Sequence, residues 1–193
     1  MAAVDNVCMD QREPLRERLV DAGVELLEEV GAAQLGLRAI TRAAGVSHGA
    51  PRRHFPTHRA LLAAVAARGF ADLIDRFAAI EATNPRDRLA RMSIEYVEFA
   101  RLRPEMFGLM FRHDLLEGSG ENLRATTVPL FGRFATLVAA AHPGVPDPEF
   151  RAFALWTSMH GIATLYANRS LHLIGPSVDI RALVDRELEL HLA

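Results

Sequence analysis

A chain of 193 residues, half of them hydrophobic, can bury a sizeable core, which excludes a disordered segment or a peptide-like scaffold. Its single cysteine, Cys8, can build neither a disulfide framework nor a thiolate metal cluster within one chain, and that fits a reducing cytoplasm. The net charge of -2 hides a segregation: residues 31 to 71 hold six arginines, three histidines and no acid, while the rest sets 16 arginines against 24 acids.

Apolar residues recur at helical spacing nearly throughout, so the expected fold is all-α with about nine helices. Leu15, Leu19, Ala22, Leu26 and Val30 form the stripe of a first helix, started behind Pro14 and stopped at Gly31. A short second helix runs from Leu37 to Ala44 and closes at Gly45, a residue free to adopt the left-handed conformation. Ser47 then caps a third helix reaching about Phe55, with Pro51 tolerated in its first turn. Thr57 caps a long fourth helix from His58 to about Ala79.

Asn84-Pro85 and Asp147-Pro148 each join a good N-cap to proline at the first helical position, and so start the fifth and eighth helices. The fifth ends near Arg101 and the eighth near Asn168. Between them lie a sixth helix from Pro104 to Phe111 and a seventh from Glu121 to about Ala141, which His142-Pro143-Gly144 ends. A ninth runs from Asp179 to the C-terminus. The expected organisation is a disordered tail over 1–13, a helix-turn-helix domain over 14–58 and a larger helical domain over 59–193. The N-terminus has neither a basic n-region nor an apolar h-region, and no apolar run approaches the roughly 20 residues of a membrane span, so an unexported protein without membrane contact is expected.

The short helix, glycine turn and short helix from Leu37 to Phe55 form the arrangement that sets a second helix in the DNA major groove, and they lie inside the acid-free segment. Phosphates attract cations and repel carboxylates, so pattern and charge point to the same partner, double-stranded DNA. Gly45-Val-Ser47-His-Gly49 also matches the G-x-S-x-G pattern of hydrolase nucleophiles, but that motif needs a preceding strand and a parallel sheet, and neither is expected here. No catalytic residue is assigned. Of the eight histidines only His54 and His58 are close at helical spacing, across the Pro56 break and with no acid nearby, so neither a metal site nor a cofactor is expected.

The stretch Leu37-Arg-Ala-Ile-Thr-Arg-Ala-Ala-Gly-Val-Ser-His-Gly-Ala-Pro-Arg-Arg-His-Phe-Pro-Thr-His-Arg-Ala-Leu-Leu62 resembles the signature of the TetR (tetracycline repressor) family of transcriptional regulators, and the likeness spans roughly residues 14 to 70. Trp156-Thr-Ser-Met-His-Gly161 resembles the Trp/His-Gly motif in the sensing half of one branch of that family. The resemblance implies a homodimer that binds palindromic operator DNA, most often as a repressor, and is released by a small-molecule effector. It places His48, Gly49 and Arg53 near base edges or close to the backbone, and Arg38, Ser47, Arg52, His54 and His58 at phosphates.

Three positions depart from the family pattern. Arg52 stands for a tyrosine, His58 for a lysine and Gly36 for a Ser or Thr cap. A guanidinium can replace the first phosphate contact. A histidine replaces the second less well, and would strengthen DNA binding on mild acidification. These departures leave open an alternative, a small-molecule-binding protein of the same fold without specific DNA recognition.

For the sensing half, the resemblance implies a cavity of aromatic and thioether surface, with Tyr96, Phe99, Met106, Met110, Phe131, Trp156, Met159 and His160 as candidates. An ordinary core is the competing role for each, and His160 has satisfaction by backbone as its alternative. The eighth helix is apolar on most of its circumference, which calls for burial on more than one side. Its Phe150, Phe153, Ile162 and Tyr166, with Ile180, Leu183, Val184 and Leu188 of the ninth, are expected to build a four-helix dimer interface.

Overall fold

A computed structural model describes residues 15–47, 51–144 and 146–192. The N-terminal tail with Cys8, and the candidates His48 and Gly49, lie outside the described residues. Helix α1 (Leu15–Val30) turns Leu19, Val20, Ala22 and Leu27 inward and ends at Gly31, whose φ of 74° is the left-handed value that a side chain would resist. Helix α2 (Leu37–Ala43) has Gly36 at its N-cap without a side-chain cap, and Gly45 at φ 65° ends it as expected. Arg18 of α1 donates to the Ala44 carbonyl at 2.6 Å, placing a cation on the negative end of α2.

The expected third helix is seen in its described part as a 3₁₀ turn, Pro51–Arg53, extended by bonds from His54 and Phe55 N–H to the Pro51 carbonyl. Phe55 closes this end of the molecule. Its ring is almost fully buried in one cluster with Leu19, Leu35, Ile40, Leu61 and Val65, and the Arg16 guanidinium lies 5.3 Å from its centroid. Burying such a ring contributes about 2–3 kcal/mol.

Helix α3 (His58–Ala78) starts where Thr57 Oγ1 accepts from Ala60 N–H at 3.1 Å, and buries an almost unbroken run from Ala60 to Ala66. It packs on α1 behind it and on α5 (Pro104–Met110) beyond. Helix α4 (Pro85–Leu102) is capped by Asn84, whose Oδ1 accepts from Asp87 N–H at 2.9 Å. With α7 (Arg124–Ala141) and α8 (Pro148–Ala167) it makes the larger body, and α10 (Ile180–His191) closes that body against α8 and α4. Asp147 caps α8 from a left-handed φ of 50°, accepting from Phe150 N–H at 3.2 Å.

Eight of the nine expected helices are α-helical, the third being the 3₁₀ turn, and two short ones, α6 (His113–Leu116) and α9 (Ser170–Ile174), bring the α-helices among the described residues to ten. Neither is long enough for periodicity to reveal it. No strand occurs among the described residues, and no helix there is long and apolar enough to cross a membrane.

Helices α1 and α5 are clasped through carboxylates. Helix α5 has no cap from its own chain neighbour, Arg103. Instead Glu28 of α1 accepts from Glu105 N–H at 3.2 Å, from Met106 N–H at 3.0 Å and from Arg103 Nε at 3.3 Å. Glu105 answers by accepting from Ala32 N–H at 3.4 Å, just past the end of α1.

Candidate DNA interface and effector cavity

Arg38, Arg42, Arg52, Arg53 and Arg59 are all exposed, and none of the five makes an ion pair among the described residues. The sixth arginine of the acid-free segment, Arg68, is held differently, by Glu17 at 2.7 Å and Asp21 at 3.0 Å of α1. A fold with 24 acids thus leaves five cations unneutralised on its helix-turn-helix end. Thr41 is buried there, its Oγ1 donating to the Arg38 carbonyl at 3.0 Å, which fixes the turn of α2 that carries Arg38.

Ser47 and His54 are exposed, and His54 does not pack inward beside Phe55. His58 meets its expectation only in part. Its Nε2 donates to the Leu35 carbonyl at 2.5 Å, so that nitrogen holds the loop between α1 and α2, and Nδ1 can donate to a phosphate only when the ring is protonated.

A cavity of about 450 Å³ opens between α3, α4, α7 and α8. Tyr96, Phe131, Trp156 and Met159 line it, together with Phe70, Leu73 and Phe77 on one face of α3 and Met92, Ser93, Phe111, Thr127, Val128, Leu130, Phe134, Glu149 and Phe153. Exposed Val128, Glu149 and Phe153 mark its mouth. Among the residues of α7 only Val138 is buried, because the cavity takes the place of the core that such an apolar helix would otherwise meet.

Three expected lining residues are not in the wall. Phe99 is fully buried beneath the Arg76 guanidinium, 5.4 Å from its ring centroid. Met106 and Met110 fill the close approach of α5 to Gly69 of α3, where glycine is needed because a Cβ would come within 2.5 Å of the Met106 sulfur. These three are buried in the core.

His160 also stands apart from the cavity. Its Nδ1 is 2.8 Å from the Tyr96 hydroxyl, and its ring lies 4.5 Å from Phe111 and 5.5 Å from Trp156, facing a second hollow of about 300 Å³. Burial lowers the imidazole below its ordinary value and raises the Tyr96 phenol, the latter offset in part by the Trp156 indole. Both groups are therefore neutral at pH 7, with the phenol donating and the ring proton on Nε2. The histidine is satisfied by a side chain rather than by backbone.

The dimer candidates divide as well. Ile162, Val184 and Leu188 are buried within this chain, against its own core. Tyr166, Ile180 and Leu183 are half-buried against the same core. Phe153 stacks on Phe131 at 4.2 Å between centroids and belongs to the cavity mouth. Phe150 remains exposed, as do Leu165, Leu173, Ile174 and Leu190, large apolar side chains that the sequence pattern alone did not separate from the core.

Two family models match, one for bacterial regulatory proteins of the tetR family over residues 19–65 and one for the tetracyclin repressor-like C-terminal domain over residues 89–191, more than half of the chain. The chain belongs to the TetR family. It is a transcriptional regulator with an N-terminal helix-turn-helix DNA-binding domain, and the Trp156 to Gly161 stretch falls inside the C-terminal match.

Nucleoid occlusion factor SlmA of Marinobacter nauticus is 28% identical over 134 residues, 68% of each chain. A solved Rhodococcus sp. RHA1 protein of unknown function superposes with a TM-score of 0.79 at 28% identity, covering 96% of this chain and 97% of that one. A transcriptional regulator from the same organism gives 0.75 at 22% identity over 92% and 95%.

Proposed function

We propose that this TetR regulator is a cytoplasmic repressor that binds palindromic operator DNA as a homodimer and leaves it when a small, mostly apolar effector enters the cavity. The observation that carries the reading is the set of five exposed, unneutralised arginines on an acid-free helix-turn-helix. Arg53 reads bases with His48 and Gly49, while Arg38, Ser47, Arg52, His54 and, when its ring is protonated, His58 hold phosphates. The DNA-binding domain takes residues 14–58, and residues 59–193 sense the effector and dimerise, with α3 rooted in both.

For the dimer, the exposed faces of α8 and α10 supply Phe150, Leu165 and Leu190, and Leu173 and Ile174 of α9 extend the patch. Leaving so many large apolar side chains in water favours a partner, and a second copy would set two recognition elements about one DNA turn apart. An effector wedged between α3 and α7 would bias the α5 clasp through Glu28, and so the separation of those elements. His58, with one nitrogen already committed to Leu35, favours a second reading, a ligand-binding protein of weak DNA specificity.

Footprinting of the protein on DNA upstream of its own coding sequence separates the two. A protected palindrome that disappears in an Arg52→Ala, Arg53→Ala double variant supports the repressor. Uniform weak protection of any DNA supports the second reading.

A further inference from the structure

Aromatic residues make up 7% of the chain but half of the lining of the cavity, which takes six of the ten phenylalanines, one of the two tyrosines and the only tryptophan. Apolar contact alone would be served as well by aliphatic side chains. Rings add a face of negative potential, which attracts a cation and repels an anion. They gather where the cavity opens: Phe131 of α7 lies 4.2 Å from Phe153, 6.2 Å from Phe134 and 6.3 Å from Trp156 between centroids.

A carboxylate stands beside these rings. Glu149, Phe153 and Trp156 share one face of α8 at i, i+4 and i+7, so Glu149 lies one turn beyond the Phe153 ring. Glu149 is exposed and makes neither a hydrogen bond nor an ion pair among the described residues. No arginine or histidine among the lining residues balances it. Arg151, two residues along α8 and so on another face, donates to the His191 carbonyl of α10 at 3.0 Å. The start of α8, which would otherwise draw an anion, is already capped by the Asp147 carboxylate, accepting from Phe150 N–H at 3.2 Å. An anionic group at the mouth therefore meets ring faces and two carboxylates. A cationic group meets the same ring faces and an unpaired carboxylate, and keeps part of its water because the mouth is exposed.

We infer that the cavity takes a lipophilic monovalent cation, its charge at the mouth between Glu149 and the Phe131–Phe153 pair and its apolar body against the deeper rings. The inference rests on the reading of the cavity as the effector site and adds the sign and the place of the effector's charge.

Trp156 stands in the cavity wall and reports occupancy by its fluorescence. The full-length protein is titrated, below micelle-forming concentrations, with three probes sharing one chain length: decyltrimethylammonium, decanol and decyl sulfate. The ammonium is expected to bind about tenfold more tightly than the sulfate and to lose affinity as salt rises. Glu149→Gln and Phe153→Leu are each expected to weaken the ammonium about threefold and to leave decanol unchanged.

Glu149 also lies in the first turn of α8, where a carboxylate stabilises the helix without any ligand. Decanol separates the two roles, because a disturbed fold would weaken every probe alike. Sulfate binding as tightly as the ammonium, or an ammonium affinity unchanged in either variant, overturns the cation and leaves the cavity as a binding site. Saturation by none of the three probes overturns the effector reading as well.

Discussion

Replacing Glu28 by alanine removes the carboxylate that caps α5 from another helix. Three acceptor contacts go with it: Glu105 N–H at 3.2 Å, Met106 N–H at 3.0 Å and Arg103 Nε at 3.3 Å. Loss of an N-cap costs about 0.5–2 kcal/mol, and a carboxylate on helix N–H groups lies at the upper end because the helix dipole adds to it. The Arg103 pair, with both side chains 26% exposed, adds about 0.5 kcal/mol once solvent screening is allowed for.

The total is about 2 kcal/mol, or about 4–8 °C in Tm for a chain of this size. Urea unfolding of wild type, Glu28→Ala and Glu28→Gln checks it, the glutamine retaining an acceptor without the charge and costing about half as much. A Glu28→Ala midpoint equivalent to less than about 0.5 kcal/mol of loss would show that water replaces the carboxylate at little cost, and the clasp would carry no structural weight.

Acidification should weaken the folded state through His160. Burial lowers its folded pKa below the ordinary value, so its contribution is fully present above about 6.5 and is lost as pH falls below that. Chemical unfolding at pH 7 and pH 5 measures the loss, and His160→Gln should flatten it; an identical pH dependence in the variant would refute the assignment. Tyr96 has the opposite sign, its raised pKa withdrawing stability only above about pH 10, visible as a delayed phenolate band in an absorbance titration. Tyr96→Phe, which leaves His160 Nδ1 unpaired, should cost about 1–2 kcal/mol in thermal unfolding, and a neutral result would mean that water reaches the ring. At the start of α8, Asp147→Ala loses both a cap and a residue tolerant of positive φ, and should cost about 1–2 kcal/mol, with Asp147→Gly closer to wild type because glycine accepts the backbone; equal losses would locate the whole effect in the cap.

The helices were legible wherever termination chemistry marked them. Thr57, Asn84 and Asp147 each cap the helix expected of them, and Gly31 and Gly45 take the left-handed values that end α1 and α2. The hidden α6 and α9 span four and five residues, less than the pattern of one amphipathic face requires. The DNA-binding end was legible because the absence of acids is itself a signal, and the structure leaves five of its arginines without ion pairs among the described residues.

The sensing half was harder for a physical reason. Helical periodicity distinguishes apolar from polar faces but not one apolar environment from another, and α8 meets three of them. Met159 faces the cavity, Ile162 the core and Phe150 the solvent. Hence Phe153 was expected at a dimer interface and found at the cavity mouth, and Val184 and Leu188 were expected outside and found within. Glu28 gave no signal, since one glutamate on an amphipathic helix is ordinary, and its role comes from a neighbour 75 residues away.

The most direct test of the whole account is the salt dependence of DNA binding, followed by fluorescence anisotropy on upstream DNA and on a scrambled duplex, for wild type and for the Arg52→Ala, Arg53→Ala double variant. Wild type is expected to bind the upstream duplex tightly with an affinity that falls steeply with salt, and the variant to lose both its preference for that duplex, with Arg53, and about one unit of salt slope per protomer, with the phosphate contact of Arg52. A wild-type protein that binds both duplexes equally, or a double variant with unchanged slope and preference, would contradict it.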